Sequence, residues 1–307
     1  MTEASYLAVS KDDIALRFGK LPPRTHKGAR GRLLVVCGSY DPCGLSMSGA
    51  AYFAASAAYR IGAGIVEIFT PRENYPALAS LVPEAVFSLY GHDESESAVI
   101  SRLKEAVKHS TAVVLGCGLG KSEMSKTLVK ATLEAVECPL LIDADGLNIL
   151  SEDESLWNIL SKVQRRRTVI TPHPGEMSRL GGYPIANILM DPVAVAVEYA
   201  KKREIVCLLK DHETVITDGE IVYLNHSGNP GMAKAGMGDL LSGIIGALLS
   251  WEVQSGYEDA LLCTAIGAYL HGLAGDIAVR EINEHALMTS DLLPKIGNAI
   301  ATASGQY

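Results

Sequence analysis

The residues of this chain best suited to chemistry lie in GNPGMAKAGMGDLLSGIIGALL, which begins at Gly228. Its first half is polar and glycine-rich, and from Asp239 onward it has the apolar density of a buried helix. The pattern predicts a helix over 239–250, with Gly236, Met237, Gly238 and Asp239 at its N-terminus. Unpaired N–H groups and the positive end of the helix dipole converge at such a place and suit it to phosphate. Asp239 reads either as an N-cap or as a base, and the flanking glycines, which open room for a ligand beside the carboxylate, favour the base. A carboxylate next to a transferring phosphoryl group takes the proton from an attacking hydroxyl while the helix start stabilises the spreading charge. That is a kinase-like reaction with no acceptor named.

Further polar segments each follow an apolar run: CGS at 37–39, GCGLG at 116–120, DADGLN at 143–148, TPHPGE at 171–176 and KDHET at 210–214. In open α/β sheets ligands bind beyond the carboxyl ends of the strands, so these segments are expected to border one crevice. Two nucleotide fingerprints fail. A Walker loop running into Gly120-Lys121-Ser122 needs Gly five positions earlier, where Leu115 stands, and GxGxxG from Gly116 breaks at Lys121. GCGLG is then either a close backbone approach to a ligand or a plain turn. Asp143 and Asp145 either shape the pocket or act directly.

The apolar runs at 33–36, 65–69, 112–115, 140–143, 168–171 and 206–210 read as buried parallel strands. Helix-length segments at 49–61, 95–109, 124–137 and 192–203 lie between them, and 257–279 follows the glycine-rich motif. Alternation with short connections predicts a mainly parallel sheet with helices on both faces. Asp218-Gly219 between 214–218 and 221–224 predicts a hairpin. With 48% apolar residues, 20% charged and no linker in 307 residues, one α/β domain is expected and disordered or collagen-like classes are excluded. A net charge of -8 gives nucleic acid and anionic membranes no overall attraction, and the basic run 165–167 is short enough for a solvated turn. Six Cys without CxxC spacing read mostly as core residues of a cytoplasmic protein, and the first residues form no signal peptide. The apolar stretch 260–275 is rich in Gly, Ala and Thr and reads as a buried helix rather than a membrane span. His271 within it reads as a packed helix residue, while His212 and His226 are either ligand-loop residues or solvated. Arg24, His26 and Lys27 read as a pocket cover, a subunit contact or a solvated arm.

Seven segments in order within 23–275, namely RTHKGARGRLLVVCGS, MSGAAYFAASAAYRIGAGIV, GCGLG, LLIDADGLN, TPHPGEMSRL, KDHETVI and GNPGMAKAGMGD, resemble the ADP- or ATP-dependent NAD(P)H-hydrate dehydratases. The resemblance implies a ribokinase-like αβα sandwich and repair of the S epimer of hydrated NADH or NADPH, with ADP or ATP as co-substrate. It implies that Ala50, Gly118, His173 and Asp239 line the hydrate pocket, with Asp239 as the base. It also implies that Lys210, Asp211, His212, Glu213, Thr214, Gly236 and Gly238 hold the adenosine phosphate. Mg²⁺ is expected to bridge the donor phosphates, and Asn148 and Glu176 either orient it through water or serve as caps and turns. Two departures stand out: Asp211 replaces a glycine in the nucleotide loop, and Met237 a hydroxyl residue before Gly238.

The resemblance also implies a homotetramer. Because about 22 residues precede the first segment, a single domain over 1–307 without an N-terminal epimerase domain is expected. Two rival readings share the anion site. A small-molecule kinase acting on a hydroxymethylpyrimidine or thiazole alcohol gives TPHPGE and DADGLN no special reason to be present. A non-catalytic nucleotide-binding regulator gives Asp239 none.

Overall fold

A computed structural model of the chain describes residues 6–41, 45–255 and 259–305; Cys43 and the expected helix start at Tyr257 lie outside the described residues. Strands β1 (Arg32–Val36), β2 (Tyr40–Asp41), β3 (Leu45–Ser46), β4 (Ile65–Pro71), β5 (Val86–Tyr90) and β6 (Ala112–Leu115) come first. They are followed by β7 (Leu140–Ile142), β8 (Thr168–Ile170), β9 (Val206–Leu209), β10 (Thr214–Thr217) and β11 (Val222–Asn225). The helices of the first half are α1 (Lys11–Arg17), α2 (Ser48–Ile61), α3 (Tyr75–Leu81), α4 (Glu96–Lys108), α5 (Glu123–Ala135), α6 (Asp145–Glu152) and α7 (Lys162–Arg166). Those of the second half are α8 (Pro174–Gly181), α9 (Ile185–Met190), α10 (Pro192–Arg203), α11 (Met237–Ser255), α12 (Ala260–Val279), α13 (Thr289–Leu292) and α14 (Lys295–Ser304).

Nine of these strands form one sheet in the order β11-β10-β9-β8-β7-β6-β1-β4-β5. β5 through β9 run parallel, while β10 and β11 add the predicted hairpin antiparallel to β9. The central strands are continuous apolar runs because both faces are covered. Alternation divides β1 between two cores: Leu33 and Val35 pack toward α2, α11 and α12, and Leu34 and Val36 toward α4, α5 and α10. This is the αβα sandwich expected from the sequence. α12 is long and apolar enough to cross a membrane by composition, but 61% of its most apolar window is buried in this core.

The small residues of α2 have a specific use. Against them α11 approaches so closely that a Cβ on Gly243 would lie 2.1 Å from the Ala54 carbonyl oxygen. Three sequence expectations shift. α11 starts two residues before Asp239, and VFSLY at 86–90 forms the edge strand β5, unread in the sequence. The basic run closes α7 rather than forming a turn, with Arg165 donating to the Trp157 carbonyl and Arg167 to that of Glu137.

The close α2–α11 contact sets a test. Gly243→Ala should destabilise by about 1–3 kcal/mol, because backbone rather than a side chain must give way. Gly297→Ala on α14, where nothing lies within 4 Å of the added carbon, should be neutral or stabilise by up to about 1 kcal/mol. Urea unfolding of both variants checks this, and equal effects would refute the close contact.

Candidate active site

Beyond the strand ends the ladder continues from loop to loop. Gly116 N–H donates to Val36 O (3.1 Å), Asp143 N–H to Leu115 O (3.0 Å), Thr171 N–H to Ile142 O (3.3 Å) and Lys210 N–H to Pro172 O (2.8 Å). CGS and GCGLG leave adjacent strands β1 and β6, where the chain order reverses, and Gly38 N–H donates to Cys117 O at 2.9 Å. The expected crevice therefore sits at the switch point of the sheet. Gly116, at φ +117°, is pressed against the next loop, where a Cβ would lie 2.1 Å from Asp143 O. Ala144 takes φ 48° and ψ -115°, a strained conformation costing on the order of 1–3 kcal/mol. It stands between two diverging carboxylates: Asp145 Oδ2 accepts from Gly120 N–H at 2.8 Å, and Asp143 points into the site.

At the centre lies an ion pair. Lys210 Nζ donates to Asp143 Oδ1 at 3.0 Å and stands 3.9 Å from Glu176 Oε2. The pair is made two strands apart, a span of about 9–10 Å that a long lysine side chain covers. The Ser242 hydroxyl donates to Asp143 Oδ2 at 2.9 Å, and the Asp143 side chain is only 2% exposed. Burial alone would raise the Asp143 carboxyl, but the Lys210 ammonium and its hydrogen bond hold it below the ordinary value. Glu176 is raised, chiefly by burial. Asp239, in the first turn of α11, is pushed up to about 6 by burial and by the neighbouring Asp143 carboxylate. Lys210 is committed to Asp143, and Asp239 is left with a pKa not far below neutral pH, as suits a general base.

His173 caps α8. Its Nδ1 accepts from Gly175 N–H at 3.0 Å, its own N–H donates to Glu176 Oε2 at 2.9 Å, and Nε2 lies 3.5 Å from Glu176 Oε1. Burial and then Lys210 lower its pKa, so a neutral ring stands half-exposed at the mouth. Ala50 and Gly118 meet: a Cβ on Gly118 would lie 2.7 Å from that of Ala50. One on Gly238 would lie 3.4 Å from Lys210 Nζ and 3.5 Å from Asp143 Oδ2, which places the start of α11 over the ion pair. The left-handed backbone belongs to Gly236, at φ +90°, rather than to Gly238. Gly238 is thus small for the sake of the space beside it. The N–H groups of Gly238 and Asp239 precede the first bond of the helix ladder, Leu240 N–H to Gly236 O, and face the site without intrahelical acceptors.

The side chains of Asp211, His212 and Glu213 do not join this cluster. They are exposed, Asp211 accepts from His212 N–H, and Glu213 faces His226 at 3.3 Å. Asp211 keeps an ordinary backbone, so replacing glycine there imposes no left-handed strain. Thr214 opens β10, its hydroxyl 3.3 Å from Asp211 O. Met237 is buried. Asn148 Oδ1 accepts from Arg179 Nε at 3.0 Å. Among the described residues no three His, Cys, Asp or Glu side chains gather to hold a metal. The turn Lys27–Arg30 lies at the opposite end of β1, where Arg30 covers Trp251 at 3.8 Å, so it is no pocket cover. Partly buried His271 packs near the Met237 backbone and is pushed down to about 4, chiefly by desolvation of its ring. Asp143, left open in the sequence, is the partner that holds Lys210, and Ser242, unread there, holds Asp143; partners 67 and 99 positions apart carry no local signal of pairing.

The family model described as NAD(P)H-hydrate dehydratase matches residues 33–298. The bifunctional NAD(P)H-hydrate repair enzyme of Moorella thermoacetica is 40% identical over 276 residues, 87% of this chain and 49% of that protein. The ADP-dependent (S)-NAD(P)H-hydrate dehydratase of Neisseria meningitidis is 35% identical, covering 88% of this chain and 83% of its own. The ADP/ATP-dependent NAD(P)H-hydrate dehydratase of Bacillus subtilis, co-crystallised with ATP and Mg²⁺, superposes with a TM-score of 0.78 at 25% identity over 99% of this chain and 100% of its own. The chain spans about half the length of the first curated relatives it matches. The fold is ribokinase-like.

Lys210→Met strands a buried carboxylate and should cost about 3–5 kcal/mol. Adding Asp143→Asn should recover part of that loss, with a coupling of about 2 kcal/mol in a double-mutant cycle by urea unfolding at neutral pH. A coupling below about 0.5 kcal/mol would show that the two groups act independently.

Proposed function

The chain belongs to the NAD(P)H-hydrate dehydratase family, and from that premise we propose that it restores hydrated NADH and NADPH, in the S form, to NADH and NADPH with ADP or ATP as phosphoryl donor. One observation carries the reading: Asp239, a carboxyl raised to about 6, stands on an open helix N-terminus over the Lys210–Asp143 pair. Asp239 takes the proton of the ring hydroxyl as that oxygen attacks the terminal phosphorus of the donor. The bond to the departing nucleotide oxygen breaks, releasing AMP from ADP or ADP from ATP. The Gly238 and Asp239 N–H groups, with Lys210, stabilise the charge spreading over the transferred group. The ring nitrogen then expels phosphate, a far better leaving group than hydroxide, and loss of the adjacent ring proton restores the dihydropyridine.

In this reading Gly236, Gly238 and the 210–214 loop hold the adenosine phosphate, and Ala50, Gly118 and His173 hold the hydrated ring. Hard oxygens at Glu176 and Asn148, without a protein cage, suit a Mg²⁺ held mainly by the donor phosphates and reached through water. When bound, it neutralises phosphate charge. Asn148 acts within its bond to Arg179. The same reading places the protein in a reducing cytoplasm as a homotetramer. The free thiols of Cys37, Cys117, Cys138 and Cys207 support the first, and family resemblance alone supports the second.

Recovery of the NADH chromophore from its hydrate, with ADP or ATP and Mg²⁺, tests the reading. Asp239→Asn should lower kcat about a hundredfold or more while leaving nucleotide KM within a few-fold. In the parent, kcat/KM should fall as pH drops through about 6, because protonation removes the base. Turnover of the variant within threefold of the parent would reject Asp239 as the base. A parent inert toward the hydrate would reject the function.

A further inference from the structure

The chain entering α11 lies strapped onto one face of α12. Tyr269, Gly272 and Asp276, spaced three and four residues apart, share that face. Ser227 Oγ donates to Tyr269 O at 3.0 Å. Gly272 carries no side chain where a Cβ would lie 2.5 Å from Ser227 C and O, and Gly275 leaves room for the Met232 thioether. The Asp276 carboxylate closes the arrangement. Its Oδ2 accepts from Gly228 N–H at 2.9 Å and its Oδ1 from Asn229 Nδ2 at 3.0 Å, while Asn229 Oδ1 accepts from Gly231 N–H at 3.1 Å. Three hydrogen bonds thus run in series from α12 into the short 3-10 turn Pro230–Met232. Further along, Lys234 Nζ donates to His285 O at 2.8 Å and Thr289 Oγ1 to Ala235 O at 2.8 Å. Every one of these contacts acts on the segment that ends at Gly236, and none reaches the ion pair.

We propose that Asp276 is a positioning residue for phosphoryl transfer: through Asn229 it fixes the approach of 228–231 and thereby the direction in which the Gly238 and Asp239 N–H groups face. The assignment rests on the anion site proposed above and extends it to a residue that touches neither substrate. Its physical basis is preorganisation. N–H donors stabilise a developing oxyanion only where their geometry is set before the reaction. A glycine-rich segment has no stiffness of its own and must borrow it from α12.

The two side chains permit a reciprocal test in the full chain. Asp276→Asn places two amide donors face to face, and Asn229→Asp places two carboxylates face to face, so each single variant loses one bond of the series. Asp276→Asn with Asn229→Asp restores all three: the new amide oxygen accepts from Gly228 N–H, its nitrogen donates to the new carboxylate, and that carboxylate accepts from Gly231 N–H. Each single variant should lower kcat/KM for ADP about tenfold, with a smaller change in KM for the hydrate, and the double variant should return to within about threefold of the parent. In the ligand-free protein the amide resonances of Gly236, Gly238 and Asp239 should shift in the singles and return in the double. The resonances read the strap even if the parent turns over no hydrate, which separates failure of this proposal from failure of the proposed function. Single variants with parental resonances overturn it. So do singles that lose melting temperature alone with unchanged KM and kcat, and a double variant that melts like the parent yet stays impaired.

Discussion

The site depends on a part-buried ion pair with too few cations to go round. Asp143, Glu176 and Asp239 crowd one ammonium, that of Lys210, and the geometry gives it to Asp143 at 3.0 Å. Asp143 stays ionised, with Ser242 completing its hydrogen bonding. Glu176 and Asp239 are left to burial, which raises both. His173 is kept neutral by the same burial and the same ammonium. Burial and a lysine contact made two strand spacings across the sheet thus set the protonation of groups on three different helices and loops together.

Around this pair, backbone does the positioning. Strand-end loops lock carbonyl to glycine at Gly116, α2 and α11 touch through Gly243, and α12 carries the segment that leads into α11. Each contact puts a side-chain-free position where a strand or helix must come closer than a Cβ allows. The open N–H groups at the start of α11 are consequently held by elements whose cores lie well below the site. A helix start alone favours an ionised carboxylate; at Asp239 burial and the Asp143 charge outweigh it.

Much of this was legible in the sequence. Buried strands announce themselves as apolar runs ending in polar, glycine-rich loops, and those loops do meet at the strand ends. Asp239 was readable because a lone carboxylate between glycines and a buried helix has few structural uses. The start of α11 was misplaced since either Gly236 or Gly238 can break a helix, and only the structure shows which takes the left-handed backbone. The partners of Lys210 were hidden by distance: a lysine after β9 can reach any of several strand-end acids. Asp276 was hidden by its setting in an apolar helix, where a single acid reads as solvent-facing.

Burial raises the Asp239 carboxyl, and Asp143, by holding Lys210 and adding its own charge, carries it further toward about 6. Carboxyl NMR titration of Asp239, in the parent and in Asp143→Asn, measures it directly. The account predicts a midpoint of about 6 in the parent and a lower one in the variant, where Lys210 is released and the neighbouring charge is gone. A parent midpoint in the ordinary aspartate range, or the same midpoint in both proteins, would contradict it.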